Sequence, residues 1–433
     1  MTIQNATDNL DEIAEALGQT IFEDFNEGYY IGMMSGTSLD GLDAVVVRFN
    51  NDEANQNSNP LELVATHSKD FAPNLHSVLT ALCQPNGIAN LTINLDDKDE
   101  GLADGLTSEL DWFGWASKEY AEFASTVVNE LLENAKIDAD DVLAIGCHGQ
   151  TVRHRPQHGF SLQLVDANII AERTGISTVT DFRRRDMAVG GQGAPLVPAF
   201  HQAMFANPKQ MRVLLNLGGI ANISVLPPTN GDNANNITGY DTGPANLLLD
   251  AWTNLHTNKP YDEGGNFAKS GEVIEALLTQ LLKHPYFAMP SPKSTGREDF
   301  NLAWLEAQIA DFAHHNPSLR YSPADVQATL TEFTAVTASN EITKFEFASN
   351  TANANHLYVC GGGAFNSHLL ERLTKHLPNW QVTTTSELGL APTWMEATAF
   401  AWLARQTLMG EVGNCPAVTG ANKGVVLGQV CFA

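Results

Sequence analysis

Three short turns carry the residue types from which phosphate chemistry can be built. The first, Ser35-Gly36-Thr37-Ser38-Leu39-Asp40-Gly41-Leu42-Asp43, joins glycines that let a ligand approach the backbone to hydroxyls that can donate to phosphate oxygens. Its carboxylates, Asp40 and Asp43, are the candidate Mg²⁺ ligands. No GK[ST] follows, so it is not a Walker loop, and an ordinary hairpin turn would use the same residues. The second turn, Asn216-Leu217-Gly218-Gly219-Ile220-Ala221-Asn222, is an uncharged glycine-rich bend between two apolar runs, with Gly218, Gly219 and Asn222 as candidate phosphate contacts. A β-bulge or tight turn is the plain alternative. The third, Gly361-Gly362-Gly363-Ala364-Phe365-Asn366, follows an apolar run and opens a helical pattern, where backbone donors and the helix dipole favour a nucleotide. It lacks the GxGxxG spacing of a dinucleotide fold.

Charged and polar side chains outside these turns add to the set. Asp241 stands just before a helical pattern beginning near Gly243, where an Asp is a candidate base and equally an N-cap. Glu396 lies on a helix that is otherwise apolar from Ala397 to Leu403, and a carboxylate there calls for a reason. Arg183-Arg184-Arg185, flanked by Asp181 and Asp186, is the densest cationic cluster in the chain; a guanidinium can grip a carboxylate bidentately, and a salt-bridge knot is the rival reading. His148, Gln150 and Arg153 form the polar end of a buried strand, and Gln192 sits in a glycine-rich rim, Gly190 to Pro195. The loop Lys293-Ser294-Thr295-Gly296-Arg297 can meet a ligand or cap the next helix. His154 and His201 have no partner at metal-ligand spacing.

The elements that must position these residues come in two rounds. Strands are expected at 29–33, 44–49 and 61–67, helices at 74–83 and 108–135, strands at 142–147 and 160–165, and a helix at 167–173. The order then recurs, with strands at 212–217, 220–226 and 237–240 and helices from Gly243 and Gly271. A strand at 356–360, a helix from Asn366, a strand at 381–385 and a helix at 393–408 complete it. This is a duplication of architecture read from element order alone. Two α/β lobes, each opening on a hairpin with a small-residue turn, suggest a cleft gripping phosphate from both sides.

Composition bounds the rest. At 433 residues, 43% hydrophobic, the chain can bury two cores of ordinary size. With 24 basic against 50 acidic residues its formal charge is -26, which disfavours binding to nucleic acid or to an anionic membrane surface. Five scattered cysteines without ligand spacing, no apolar run of spanning length and no leader-like N-terminus fit a cytoplasmic protein. Residues 1–28 read as an acidic extension and Asn50 to Pro60 as a surface loop.

The three turns, in this order, resemble the first phosphate, second phosphate and adenosine motifs of actin-like ATPases and sugar kinases. The strings MSGTSLDGLDAV, GCHGQTVRH, TDFRRRDMAVGGQGAPLVPAFH, LNLGGIANIS, GYDTGPANLLLDAW, PKSTGREDFN, CGGGAFN and PTWMEATAFAWLA narrow that to a resemblance to the anhydro-N-acetylmuramic acid kinase family, over roughly 29–429. The resemblance implies an α/β fold of two ribonuclease-H-like lobes of the actin/hexokinase type with a nucleotide cleft between them: an extension at 1–28, lobe I at 29–185 with the C-terminal helix packing back on it, and lobe II at 186–433. It implies ATP and Mg²⁺ as cofactors and 1,6-anhydro-N-acetylmuramic acid as substrate, whose anhydro bridge is opened by water while O6 takes the γ-phosphate, in cell-wall recycling. Asp241 matches the base that activates the water, and Glu396 is expected near the reacting centre. His148, Gln150, Arg183 and Gln192 become substrate contacts, with an arginine on the lactyl carboxylate. A homodimer is implied by the resemblance and by nothing in the residues themselves. A related sugar kinase acting on a free hydroxyl would keep the same ATP turns.

Overall fold

The computed structural model describes residues 25–36, 39–50, 60–91, 105–230, 237–346 and 355–433. Thr37, Ser38, most of the N-terminal extension and of the 50–60 loop, and the 231–236 loop lie outside the described residues. Two compact units form, one from the chain up to Phe200 together with Glu396–Ala433, the other from His201–Met395. The division falls after Phe200 instead of Arg185, and the whole tail from Glu396 joins the first unit. The buried carboxylate of Asp186 ties the two stretches of the first unit together, accepting hydrogen bonds both from Gly193 and from Asn414 and Thr419 of the tail.

In the first unit β1 (Gly28–Met34), β2 (Gly41–Phe49) and β3 (Leu61–Asp70) form an antiparallel meander. After it come β4 (Val142–Cys147), the separate hairpin β5 (Gln150–Arg155) and β6 (Phe160–Leu164), and β7 (Thr178–Thr180). β4 runs parallel to β1 and β7 parallel to β4, giving the order β3-β2-β1-β4-β7, extended by the short antiparallel strand Gln429–Cys431. The run Val45-Val46-Val47 of β2 is buried throughout, as β-branched residues are when both faces of a sheet are covered. The helix Glu109–Ala135 starts at a capping box, Ser108 with Asp111, and lays Trp112, Ala116, Tyr120, Val127 and Leu131 into the core. The helix Met395–Leu408 comes close enough that a Cβ on Gly32 of β1 would lie 1.9 Å from the Ala397 carbonyl, and one on Gly146 of β4 2.0 Å from that of Phe400.

The second unit repeats the plan. β8 (Met211–Leu217), β9 (Ile220–Leu226) and β10 (Thr238–Pro244) form a meander, and β11 (Asn355–Cys360) and β12 (Gln381–Thr384) add in parallel, in the order β10-β9-β8-β11-β12. Both sheets therefore run third, second, first, fourth, fifth, so the duplication expected from element order is a duplication of topology. Four elements of this unit differ from expectation. The strand expected at 237–240 continues to Pro244, because a register shift between Asp241 and Gly243 carries the ladder past the glycine, and the helix begins only at Asn246. Two helices not expected, Leu302–His315 and Pro323–Ile342, contribute to the packing. The second is buried on nearly every side, and Thr329 and Thr331 return their hydroxyls to carbonyls four residues back.

Candidate active site

The first turn of the first unit is braced from below. Ser35 is 1% exposed, lies 3.2 Å from the Tyr120 hydroxyl and donates to the Gly149 carbonyl at 3.3 Å. Gln150, on the strand after β4, donates its amide to the Gly36 carbonyl at 3.4 Å. Leu39 holds φ +66°, a left-handed conformation that costs a branched residue energy and persists where the surroundings impose it. The side chains of Leu39 and Leu42 belong to the core, leaving only their backbone groups for a ligand. Asp40 is exposed at the turn, whereas Asp43 is partly buried at the start of β2, opposite Met34 and Ser68. Burial raises the Asp43 carboxyl above its ordinary range, against the hydrogen bond from Ser68. Gly41 is required by the sheet itself, since a Cβ there would meet the Lys69 carbonyl at 2.3 Å.

Glu396 opens the helix that rests on Gly32 and Gly146, so the close approach of helix to sheet decides where this carboxylate sits. It is partly buried, and its carboxyl is raised by desolvation, with Arg183 opposing the rise and Asp43 adding to it. Arg183 donates through Nε and Nη2 to Nε2 of His148, at 3.1 and 2.8 Å, and through Nη1 to the Gly193 carbonyl at 2.7 Å. A guanidinium can only donate, so His148 is neutral with its proton on Nδ1. Burial and the adjacent cation hold its pKa well below the ordinary histidine value. Desolvation brings the Arg183 guanidinium down to about 10, so it stays charged at neutral pH. Asp43, Gln150, His148, Arg183 and Glu396 thus gather in one unit. Gln192, in contrast, is exposed on the loop pinned by Asp186, and its N–H donates to the Thr419 carbonyl at 2.9 Å.

In the second unit Asn216, Asn222 and Asp241 lie opposite one another on β8, β9 and β10, so their side chains share one face as a polar row. The carbonyls of Gly218 and Gly219 accept from the first N–H groups of the helix Asn246–Thr257, stitching the turn to that helix end. A Cβ at Gly218 would find only the Ile220 carbonyl at 3.6 Å, and one at Gly219 only Leu247 at 3.7 Å, ordinary contacts that packing tolerates. Gly361 and Gly363 are different, since each Cβ would strike the β8–β9 turn, at 2.4 Å from Asn216 Oδ1 and 2.5 Å from Leu217 Cβ. Gly362 has room, its Cβ meeting the Asn246 amide nitrogen at 3.5 Å. The Asn366 side chain caps the helix Ser367–His376, accepting from the Leu369 N–H at 3.0 Å.

Asp241 is no helix cap. Its Oδ2 accepts from the Thr295 N–H at 3.0 Å, its own N–H donates to the Lys293 carbonyl at 3.1 Å, and its carbonyl accepts from the Tyr286 hydroxyl. Burial pushes the carboxyl up to about 6, with the Thr295 bond working against the rise and the charge of Glu298 adding to it. A carboxylate at that value is ionised at neutral pH yet basic enough to take a proton from water.

Several sequence candidates are occupied elsewhere. Arg153 donates to the Leu82 and Gln84 carbonyls at the end of the helix Pro73–Cys83, and Arg184 forks onto Asp181. Residues not singled out from sequence also bear on the site: Asn216 completes the polar row, Tyr286 holds the Asp241 backbone, and Asp186 fixes the Arg183–Gly193 loop. Asn216 and Asp186 stood inside the quoted strings with no ligand role given to them, and Tyr286 lay outside every string. Among the described residues no cluster of three or more His, Cys, Asp or Glu is arranged to hold a metal. No helix of the described residues is long and apolar enough to cross a membrane.

A repeated third-second-first-fourth-fifth sheet, with a glycine turn after the first strand of each copy, defines a ribonuclease-H-like fold of the actin and sugar-kinase type. The chain belongs to the anhydro-N-acetylmuramic acid kinase family, whose model matches residues 28–433, and is an ATP-dependent kinase. The anhydro-N-acetylmuramic acid kinase of Psychrobacter cryohalolentis is 63% identical over 98% of this chain and 99% of its own length. That of Acinetobacter baylyi is 47% identical over 93% and 98%. Among solved structures, the activator of 2-hydroxyisocaproyl-CoA dehydratase from Clostridium difficile with bound ADPNP matches at a TM-score of 0.40 and 12% identity, over 88% of this chain and 95% of its own.

Proposed function

We propose that this chain uses ATP to convert 1,6-anhydro-N-acetylmuramic acid to N-acetylmuramic acid 6-phosphate, with Asp241 as the base. The observation carrying the proposal is the Asp241 carboxylate, tuned to about 6 by burial and standing in one polar row with Asn222 and Asn216 beside the Gly218–Gly219 turn. The anhydro sugar has no free hydroxyl at C6, so the base has no sugar proton to remove there; it takes one from water instead. The hydroxide bonds to C1, the C1–O6 bond breaks, and O6 bonds to the γ-phosphorus as ADP leaves. The proton left on Asp241 passes to solvent.

The glycines support the placement of ATP. Packing does not demand glycine at Gly218, Gly219 or Gly362, and a phosphate or nucleotide drawn against the backbone would. Gly36 to Asp43 would form a further phosphate grip, with Asp40 and Asp43 as the residues to hold Mg²⁺. An Asp43 carboxyl raised by burial fits a group awaiting a cation, which would supply charge neutralisation at the phosphates. Arg183, held by His148 and Gly193, has its remaining donors for the lactyl carboxylate, beside Glu396 and Gln150. Gln192 and Asn366 contribute at the rim and at the adenosine motif. The five cysteines, all free thiols, fit a reducing cytoplasm.

Turnover in H₂¹⁸O tests the chemistry. Mass spectrometry is expected to find one label at C1 and none in the phosphate; label in the phosphate would overturn it. The pH profile gives a second check. Asp241 works as the carboxylate, so kcat/KM is expected to fall as pH drops through about 6, where the group takes up its proton. An acid limb near pH 4, the range of an ordinary aspartate, would contradict the assignment.

A further inference from the structure

Beneath Asp241 lies a buried charge network that the chemistry does not use. Lys293 is 5% exposed, and its ammonium pairs with Glu341 at 2.9 Å, sits 4.7 Å from the centre of the Tyr286 ring and reaches the Tyr286 carbonyl at 3.4 Å. Glu341, from the buried helix Pro323–Ile342, also accepts from the Tyr240 hydroxyl at 3.0 Å and the Ser291 hydroxyl at 3.2 Å, and pairs with Lys344. One carboxylate therefore holds the residue before Asp241 and two residues of the loop that contacts it. Burial pushes the Glu341 carboxyl up, but the bonds from Lys344, Lys293 and Tyr240 outweigh it and leave it below its ordinary range, so it stands as a carboxylate.

The main chain of that loop is what touches the base. Lys293 offers its carbonyl to the Asp241 N–H, and two residues on Thr295 offers its N–H to the Asp241 carboxylate. Thr295 is tied in turn to Asp299 through its hydroxyl at 2.8 Å. We propose that Lys293 and Glu341 are positioning residues, a buried clamp that fixes the 291–295 loop so that the Thr295 N–H sets both the place and the basicity of the Asp241 carboxylate. A clamp built for stability alone would not need the charge, since an apolar pair of similar volume packs as well or better. Here the anchored side chain and the two backbone contacts belong to one five-residue loop, so moving the anchor moves the donor.

The proposal rests on Asp241 being the base and is testable apart from it. The titratable groups facing Asp241 are Glu298 and Tyr286; Lys293 and Glu341 both act on Tyr286, but its hydroxyl is raised chiefly by burial and stays a neutral donor when either is changed. In full-length protein labelled with ¹³C at aspartate carboxyls, the Asp241 signal is assigned by its loss in Asp241→Asn and titrated by NMR. In Lys293→Met the hydrogen bond that favours the carboxylate is weakened, so its midpoint is expected to rise by about half a pH unit or more. The acid limb of kcat/KM should move with it, kcat falling roughly 10–100-fold while the KM for ATP changes by less than about 2-fold. Should Lys293→Met fail to fold by stranding Glu341, the paired change Lys293→Met/Glu341→Gln, which buries no lone charge, carries the same expectation. A folded variant with the wild-type midpoint and acid limb overturns the clamp. If Asp241→Asn keeps its turnover, the base assignment fails instead, and the titration still reports on the clamp.

Discussion

Asp241→Asn is expected to lower kcat by about three orders of magnitude, the middle of the range for loss of a general base, while leaving ATP binding within about 2-fold. The replacement is nearly isosteric, and its amide oxygen can still accept from the Thr295 N–H, so the strand, the polar row and the loop should stay where they are. Only the capacity to take a proton disappears. Asparagine is uncharged, so the phosphate turns lose no donor and gain no repulsion. Steady-state turnover on the anhydro sugar, with calorimetric titration of ATP, separates the two effects. Turnover within about 5-fold of wild type would move the base to another residue, with Glu396 the next to examine.

Gly32→Ala is expected to cost about 3 kcal/mol or more, the severe end of overpacking, a large part of the stability of an ordinary domain. The added methyl would lie 1.9 Å from the Ala397 carbonyl and 2.7 Å from the Ala401 nitrogen, both backbone atoms of one helix. No rotamer change relieves this. The helix cannot tilt about the contact either, because it rests on Gly146 by the same kind of approach. It must lift, and Glu396 at its first turn would leave the field of Arg183 and Asp43. The folded fraction should then show lowered activity per molecule as well as a lowered Tm. Gly114→Ala is the comparison, since its Cβ would meet nothing within 4 Å inside the helix Glu109–Ala135; it should stabilise by about 0.5–1 kcal/mol. Equal Tm for the two variants would contradict the packing argument.

Much of the site was legible because its turns are short and chemically distinctive. Strands flanking Ser35–Asp43 and Asn216–Asn222 alternate or run apolar with little ambiguity, and β9 spans Ile220–Leu226 as expected. The setting of Asp241 was not legible. Gly243-Pro244 reads as the start of a helix, and the pairing of Gly243 with Ala221 and of Pro244 with Ile220 keeps that segment in the sheet. Pro323–Ile342 was missed because burial on every side removes the polar face that gives a helix its period. The strand Gln150–Arg155 was hidden by polar residues whose partners, Gly36, Leu82 and Gln163 among them, are distant in sequence. Lys293 looked like a ligand contact for a similar reason, since nothing local announces that its ammonium meets a carboxylate on a helix entered thirty residues later.

The split first unit has a consequence for how the protein comes into being. As the ribosome extends the chain, residues 201–395 are synthesised entire before the tail that closes the other unit is made. The sheet containing β1 and β4 must wait, with the faces of Gly32 and Gly146 uncovered, for the last forty or so residues to be synthesised. A chain that stops short of Glu396 therefore carries the Asp241 row complete, while β1 and β4 lack the helix that covers them.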